Sequence, residues 1–357
     1  MIMPYYSNAF LVNTIKGLRE RMKRFLLLLL IGLSGCGLIP HPHLIASPTS
    51  IIATVAPTAT PLTPVLTAAL GDVKNPLILA LAPAPRLDPN ALNASKVLIA
   101  HLEKSTGYQF VTVAPTSETD LIHRFENGNA HIGALSPFGY LSANENGSAN
   151  AAFVRQQDGS AFYGAQFIVR SDAGFLPYFD LVKNENTSDA STALAQFQNK
   201  KPCWADPLSP SGYVVPLGFL NESGIQVNDP AFVTGQPTVV RAVYARGICD
   251  FGATYIDART YPGLEDAFPD VLTKVIVVWR IPSIIPYETL VFAGNMNNDT
   301  RRILIRAFVD AMDTPDGSSA MQTLYGIDAM QVVQDGQYQD FRKAVKASGL
   351  DLSSLVK

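Results

Sequence analysis

From Leu77 onward, apolar residues fall into two alternating rhythms. Leu77–Pro83 is a continuous apolar run, which predicts a buried strand broken by Pro83 and Pro85. Ala91–Thr106 places Leu92, Val97, Leu98 and Leu102 at helical spacing and stops at Gly107. Phe110–Ala114 predicts a second strand, and Ser117–Gly128 a helix that buries Leu121, Ile122 and Phe125. His131–Leu135 predicts a third strand, followed by Ser136-Pro137-Phe138-Gly139-Tyr140. Strand, helix, strand repeated in this way predicts parallel α/β layers, with ligands at the carboxyl ends of the strands.

The same rhythm continues through Ala161–Arg170, Lys201–Ala205, Ala231–Val233 and Ile248–Thr254 as strands. Helices are expected near Thr192–Gln198 and over Thr238–Ala245. Val275–Arg280 predicts a further strand and Thr300–Met312 an amphipathic helix. Within this frame Asp206–Leu220, DPLSPSGYVVPLGFL, stands out. Ser209 is a good N-cap, and Pro210 at the first helical position gives up an N–H that has no helical partner. A strand feeding such a helix start brings free N–H groups, small hydroxyls and the positive helix end to one point. That is the chemistry of an anion site, and also of an ordinary capped helix.

DPLSPSGYVVP resembles the DPxSxSGYxxP segment of the substrate-binding subunits of phosphate, phosphite and phosphonate ABC importers. The resemblance extends over about residues 77–346. It includes Gly128–Tyr140 against GxxDIAxLGPxxY, RAVYARGICDFGA against AVxxGxxDxGA, Ile285-Pro286-Tyr287-Glu288 against IPNDP, and the C-terminal DTPDG. It implies an α/β, two-lobe type II periplasmic-binding-protein fold. Each lobe would be a mainly parallel sheet flanked by helices, with the ligand cleft between lobes. Lobe one is expected over 76–170 plus 275–357 and lobe two over 171–274, with the hinge at the crossings near 171 and 275. By the same resemblance Ser209, Ser211, Gly212 and Tyr213 contact the ligand, together with Tyr140, Ser136, Gln236, Asp250 and Glu288. Pro210 stands where the family usually has Thr, and Gln236 where phosphonate binders often have His. Tyr140 fits a core position equally well. Glu118 stands where the family often has a ligand-contacting Tyr. It reads as a helix cap, or, facing the cleft, as a group that repels a bare anion and favours an ammonium.

The N-terminus changes where this domain is expected to work. Met22-Lys23-Arg24, the apolar Leu26–Gly32 and Leu33-Ser34-Gly35-Cys36 form a basic, apolar and cleavage-box series. This predicts a signal peptide over 1–35, with Met22 as the natural start. Leu-Ser-Gly-Cys resembles the bacterial lipobox, which implies lipidation of Cys36. Gly37–Leu70 carries six Pro and no charged side chain, as befits an extended tether within the expected 36–75 linker. Without residues 1–35 the chain loses five Lys/Arg and one Glu, leaving 22 basic against 29 acidic residues, net −7. That excess of acid argues against a nucleic-acid partner. Cys203 and Cys249 fall in expected strands of one lobe; a disulfide and two free buried thiols both suit them.

No G-x-S-x-G, H-E-x-x-H or Walker motif occurs, and neither His123 nor His131 adjoins a nucleophile. The sequence therefore reads as a non-enzymatic, extracytoplasmic lipoprotein, monomeric and without cofactor or metal. It would capture a small oxyanion-bearing ligand and deliver it to an ABC permease. A ligand-sensing subunit of a membrane signalling system, or a binder of another solute such as a sulfonate, remains open.

Overall fold

The computed structural model describes residues 69–84 and 86–356. The expected signal peptide, Cys36 and most of the tether lie outside the described residues. In chain order the first strands are β1 (Leu77–Ala80), β2 (Phe110–Val113), β3 (Ile132–Leu135), β4 (Ala149–Arg155), β5 (Phe162–Arg170), β6 (Phe179–Asp180) and β7 (Glu185–Asn186). Then come β8 (Pro202–Trp204), β9 (Ala231–Phe232), β10 (Phe251–Tyr255), β11 (Val275–Pro286), β12 (Thr289–Ala293) and β13 (Met330–Val332).

Two sheets define two lobes. Sheet one has the order β13-β4-β12-β3-β1-β2 and sheet two the order β11-β5-β10-β8-β9. β6 and β7 form a small hairpin of their own within the polar stretch after Leu176. Each sheet is mixed rather than mainly parallel. β2, β1 and β3 run parallel, whereas β12, β4 and β13 are added antiparallel. β10, β8 and β9 run parallel, β5 is antiparallel to β10, and β11 is in turn antiparallel to β5.

The lobe boundaries differ from expectation. β5 and β11 pair along most of their length, from Val275 with Arg170 to Pro286 with Phe162, and β5 then pairs with β10. Both strands thus belong to lobe two. The chain crosses between sheets at residues 156–161 and 287–288, not near 171 and 275. Ser171–Gly174 is a turn at the far end of lobe two. An apolar run shows that a strand is buried but not in which sheet, so this boundary had no local signal.

The helix bounds follow the sequence closely, but of the apolar residues that marked Ala91–Thr106 only Leu98 and Leu102 are buried, while Leu92 and Val97 are exposed. Ala91–Thr106 ends on Gly107, whose φ of +73° lets its N–H reach the Glu103 carbonyl. Cys203 and Cys249 form a disulfide across 46 residues, tying β8 to the turn before β10. Apolar side chains fill lobe one around Leu79, Leu98, Phe153 and Phe308, and lobe two around Val239, Val243 and Val275. A third cluster runs through both lobes.

That shared cluster depends on the C-terminal segment. The helix Gln339–Ala347 stacks Phe341 on Phe138 of lobe one at 5.7 Å. Its other side lies on the lobe-two helix Val215–Glu222. There the Ala344 carbonyl approaches so closely that a Cβ at Gly218 would lie 2.1 Å from it. Asn221 donates to the Ala347 and Ser348 carbonyls. The chain then turns back, and Leu352–Leu355 packs on the lobe-one helix Pro137–Glu145.

Candidate functional site

Two helix starts, one from each lobe, are built alike. In lobe one, β3 leads into Ser136, which caps the helix Pro137–Glu145; its Oγ accepts the Gly139 N–H at 3.1 Å. In lobe two, β8 leads through Asp206–Leu208 into Ser209, whose Oγ accepts the Gly212 N–H at 3.0 Å. Pro follows Ser in both, as a first helical residue should. The lobe-two helix begins as a π turn over Pro210–Val214, in which Val214 N–H reaches back to the Ser209 carbonyl. The repeated Ser-Pro-x-Gly-Tyr, at 136–140 and 209–213, is a sequence signal that reading each stretch separately misses.

Each helix start is filled by a polar side chain from elsewhere in its own lobe. In lobe one it is Glu118, the first residue of the helix Glu118–Glu126. Its Oε1 accepts the Ser136 N–H at 2.5 Å and its Oε2 accepts the Ser136 hydroxyl at 2.8 Å. Glu118 is buried, and a Cβ on Gly139 would lie 2.6 Å from Oε1. The carboxylate therefore takes the position over the positive helix end that an anion would take. The Arg86 guanidinium stands 3.7 Å away. Glu118 thus faces the cleft and covers the start of the neighbouring helix, while Ser117 caps Glu118's own helix by accepting the Asp120 N–H.

In lobe two the filler is Gln236. Its Nε2 donates to Ser209 Oγ at 3.0 Å and to Ser211 Oγ at 3.2 Å, while its Oε1 accepts the Tyr255 N–H at 3.0 Å. One neutral amide so ties the turn to the carboxyl end of β10. Ser211 is buried and also hydrogen-bonds Tyr163, whose phenol burial pushes well above its usual value. Gly212 leaves no room for a side chain: a Cβ would lie 2.5 Å from that of Ala205.

Between the two starts lies a cavity of about 530 Å³. Lobe one lines it with Pro83, Ala84, Arg86, Ser117, Glu118, Ser136, Pro137 and Phe138. Lobe two contributes Leu208 and Pro210, and the C-terminal segment Leu355. Apart from Glu118, Arg86 and the two serines, its walls are apolar.

The structure thus brings together Ser209, Ser211, Gly212 and Gln236 in one hydrogen-bonded turn, of which Pro210 lines the cavity opposite Ser136 while Ser211 is buried behind it. Four other candidates lie elsewhere. Tyr140 is fully buried, donates to Asp335 Oδ1 at 2.7 Å and packs on Tyr338, so it is core. Burial, and then its hydrogen bond to Asp335, hold its phenol protonated well above the usual range. Tyr213 turns away from the cavity and packs between Trp204 and Phe232. Asp250 sits just before β10 and accepts the Lys201 N–H at 2.8 Å. β10 runs parallel to β8, so its cleft end is Tyr255, five residues further on. Glu288 lies at the hinge, 3.5 Å from Arg155, and lines a separate cavity of about 540 Å³. Arg86, Leu208 and Leu355 were not anticipated. Leu355 is more than 200 residues from every other wall residue except those of lobe two, and no local pattern could have placed it.

Two α/β lobes with a cleft between opposed helix starts define a type II periplasmic-binding-protein architecture. Known structures agree on the fold. XAC2383 from Xanthomonas citri bound to ATP aligns with a TM-score of 0.53 at 14% identity, covering 79% of this chain and 99% of that one. The same protein bound to chloride ion aligns at 0.52 and 13% identity, covering 76% and 97%. The chain belongs to the family of periplasmic substrate-binding proteins of phosphonate ABC transporters, whose model matches residues 81–338. It is similar to the phosphate-import protein PhnD of Mycolicibacterium smegmatis, with 27% identity over 194 residues. That match covers 50% of this chain and spans only 56% of the relative's length. The family is one of substrate-binding components rather than enzymes.

Proposed function

We propose that the protein captures a small oxyanion-bearing ligand in the cavity between its lobes and delivers it, outside the cytoplasm, to an ABC permease. The observation that carries this reading is the convergence of two Ser-Pro-capped helix starts, one from each lobe, on a single chamber. Both positive helix ends point at the ligand, and closure of the lobes removes competing water. Glu118 already neutralises the lobe-one end, so the ligand's oxyanion is held by the lobe-two turn at Ser209–Gly212 and by Arg86. Directed hydrogen bonds from neutral groups carry most of the recognition. A lipid on Cys36 and the tether behind it would hold the domain near the membrane.

The test is a thermal-shift screen of the purified protein with phosphate, phosphite, methylphosphonate, 2-aminoethylphosphonate, taurine and sulfate. A ligand at a hundred times its Kd adds about 2.7 kcal/mol of stability and raises Tm by a few degrees. A shift with a phosphonate, phosphite or phosphate is the expected outcome. No shift with any of the six, nor with butyl- or phenylphosphonate, removes the reading. Separately, Cys36→Ser is expected to move the protein from the membrane fraction to the soluble extracytoplasmic one.

A further inference from the structure

The ligand chamber is larger and more apolar than an inorganic oxyanion needs. Its volume of about 530 Å³ falls within the few hundred to a thousand Å³ typical of sites for organic molecules. Its lobe-one anion position is taken by the Glu118 carboxylate, which has both oxygens engaged by Ser136. A second negative group placed there would meet a buried like charge. The remaining wall is hydrocarbon: Phe138 from lobe one, Leu208 and Pro210 from lobe two, and Leu355 from the C-terminal segment. Leu355 comes from beyond residues 81–338, the part that matches the family model. Leu355 is held there firmly. The segment is wedged between Phe138 and the helix Val215–Glu222, fixed by Asn221 and by a Lys343–Glu222 ion pair at 2.6 Å. Leu355 itself is almost fully buried.

Resting on the reading of this chamber as the ligand site, we propose that the protein selects organic phosphonates with an apolar substituent of several carbons. The oxyanion lies between Arg86 and the lobe-two helix start, where Pro210 of the Ser209–Gly212 turn lines the chamber. The hydrocarbon lies against Phe138, Leu208 and Leu355, so the C-terminal segment sets specificity by supplying one wall. Inorganic phosphate and phosphite satisfy only the polar end and leave the apolar walls facing water or an empty space.

Titration calorimetry of the full-length protein with methyl-, ethyl-, propyl-, butyl- and phenylphosphonate, beside phosphate and phosphite, tests this. Affinity is expected to rise by about fourfold for each methylene buried. Leu355→Ala and Leu208→Ala, on opposite walls, are each expected to flatten that rise to less than about twofold per methylene. Leu208 is only partly buried, so its variant stays informative should Leu355→Ala fail to fold. Ser211→Ala is expected to weaken every member of the series by a similar factor and keep the slope. Affinity that is flat or falls with chain length, with methylphosphonate or phosphate still binding, overturns the proposal while leaving the solute-binding reading standing. Absence of binding by every compound overturns both.

Discussion

Residues 136–140 and 209–213 read Ser-Pro-Phe-Gly-Tyr and Ser-Pro-Ser-Gly-Tyr, and both start a helix at the carboxyl end of a sheet. In both, the Ser hydroxyl caps a Gly N–H three residues on, and a polar side chain from elsewhere in the lobe covers that Gly. The two differ in the sign of that cover. Glu118 brings a negative charge that only accepts hydrogen bonds, and Gln236 a neutral amide that donates two and accepts one. The same local sequence is thus covered by a negative charge in lobe one and by a neutral amide in lobe two. A helix start does not make a binding site by itself; what already stands on it decides.

The strands that deliver these turns are also pinned differently. β8 is anchored by the Cys203–Cys249 disulfide, and β3 by His131, which directly precedes it. The largest expected effect follows from the first. Replacing both cysteines with Ala should lower stability by about 4 kcal/mol, the loop-closure value for a 46-residue separation. Urea unfolding of the variant measures it. A loss below about 1 kcal/mol would mean that β8 is held by packing alone.

Next in size is steric. A methyl group on Gly212 would strike the Ala205 Cβ, attached to a strand end that cannot move independently. On Gly139 it would meet the Glu118 carboxyl, the far end of a flexible side chain. Gly212→Ala should therefore cost near the upper end of the usual overpacking range, about 3 kcal/mol, and Gly139→Ala nearer 1 kcal/mol. Equal losses in matched denaturation curves would erase the distinction between the two helix starts.

The charge difference itself can be exchanged. Glu118→Gln removes the built-in anion and leaves Arg86 without its carboxylate partner. Phosphate affinity by calorimetry should then rise about tenfold, or about 1.4 kcal/mol. Gln236→Glu places a carboxylate beside Ser209 and Ser211 and should lower oxyanion affinity by at least as much. If neither variant moves affinity, the oxyanion lies at neither helix start.

Much of this was legible in the sequence, for reasons specific to each part. The helix Ala91–Thr106 was readable to its last residue, because periodicity and a terminal Gly are local signals. Ser209–Gly212 was readable as a capped helix start. Tyr140 and Asp250 were not, because a motif supplies a residue type without a direction. Tyr140 and Tyr213 occupy the same place in the repeated pentapeptide. Tyr140 is buried under Tyr338 and bonded to Asp335, some 195 residues away, whereas Tyr213 packs against strands of its own lobe. Asp250 stands at the wrong end of a strand whose sense depends on pairing with β8. The walls supplied by Leu208 and Leu355 depend on how the lobes and the C-terminal segment meet, which is a tertiary property without a local trace.

The smallest expected effect separates the lobes by pH. His131 is buried, its Nδ1 accepts the Ile78 N–H at 2.9 Å, and burial holds its pKa below the ordinary histidine value. Accepting that bond requires an unprotonated Nδ1. In the unfolded chain the imidazole binds a proton near pH 6.5, so the unfolded state holds more protons in the window below that. The stability due to neutral His131 is therefore complete above about pH 6.5 and is lost as pH falls from there toward the lower folded-state pKa. The strand leading into Ser136 and its Glu118 cover loosens on mild acidification, while the disulfide-pinned strand of lobe two does not. Hydrogen exchange at pH 7 and pH 5.5, corrected for intrinsic rates, should show lost protection at Ile78 and β3 but not at β8. His131→Gln, with a neutral acceptor, should abolish the difference. Equal loss in β3 and β8 would mean that the lobes open as one unit and that the two anchoring devices are equivalent.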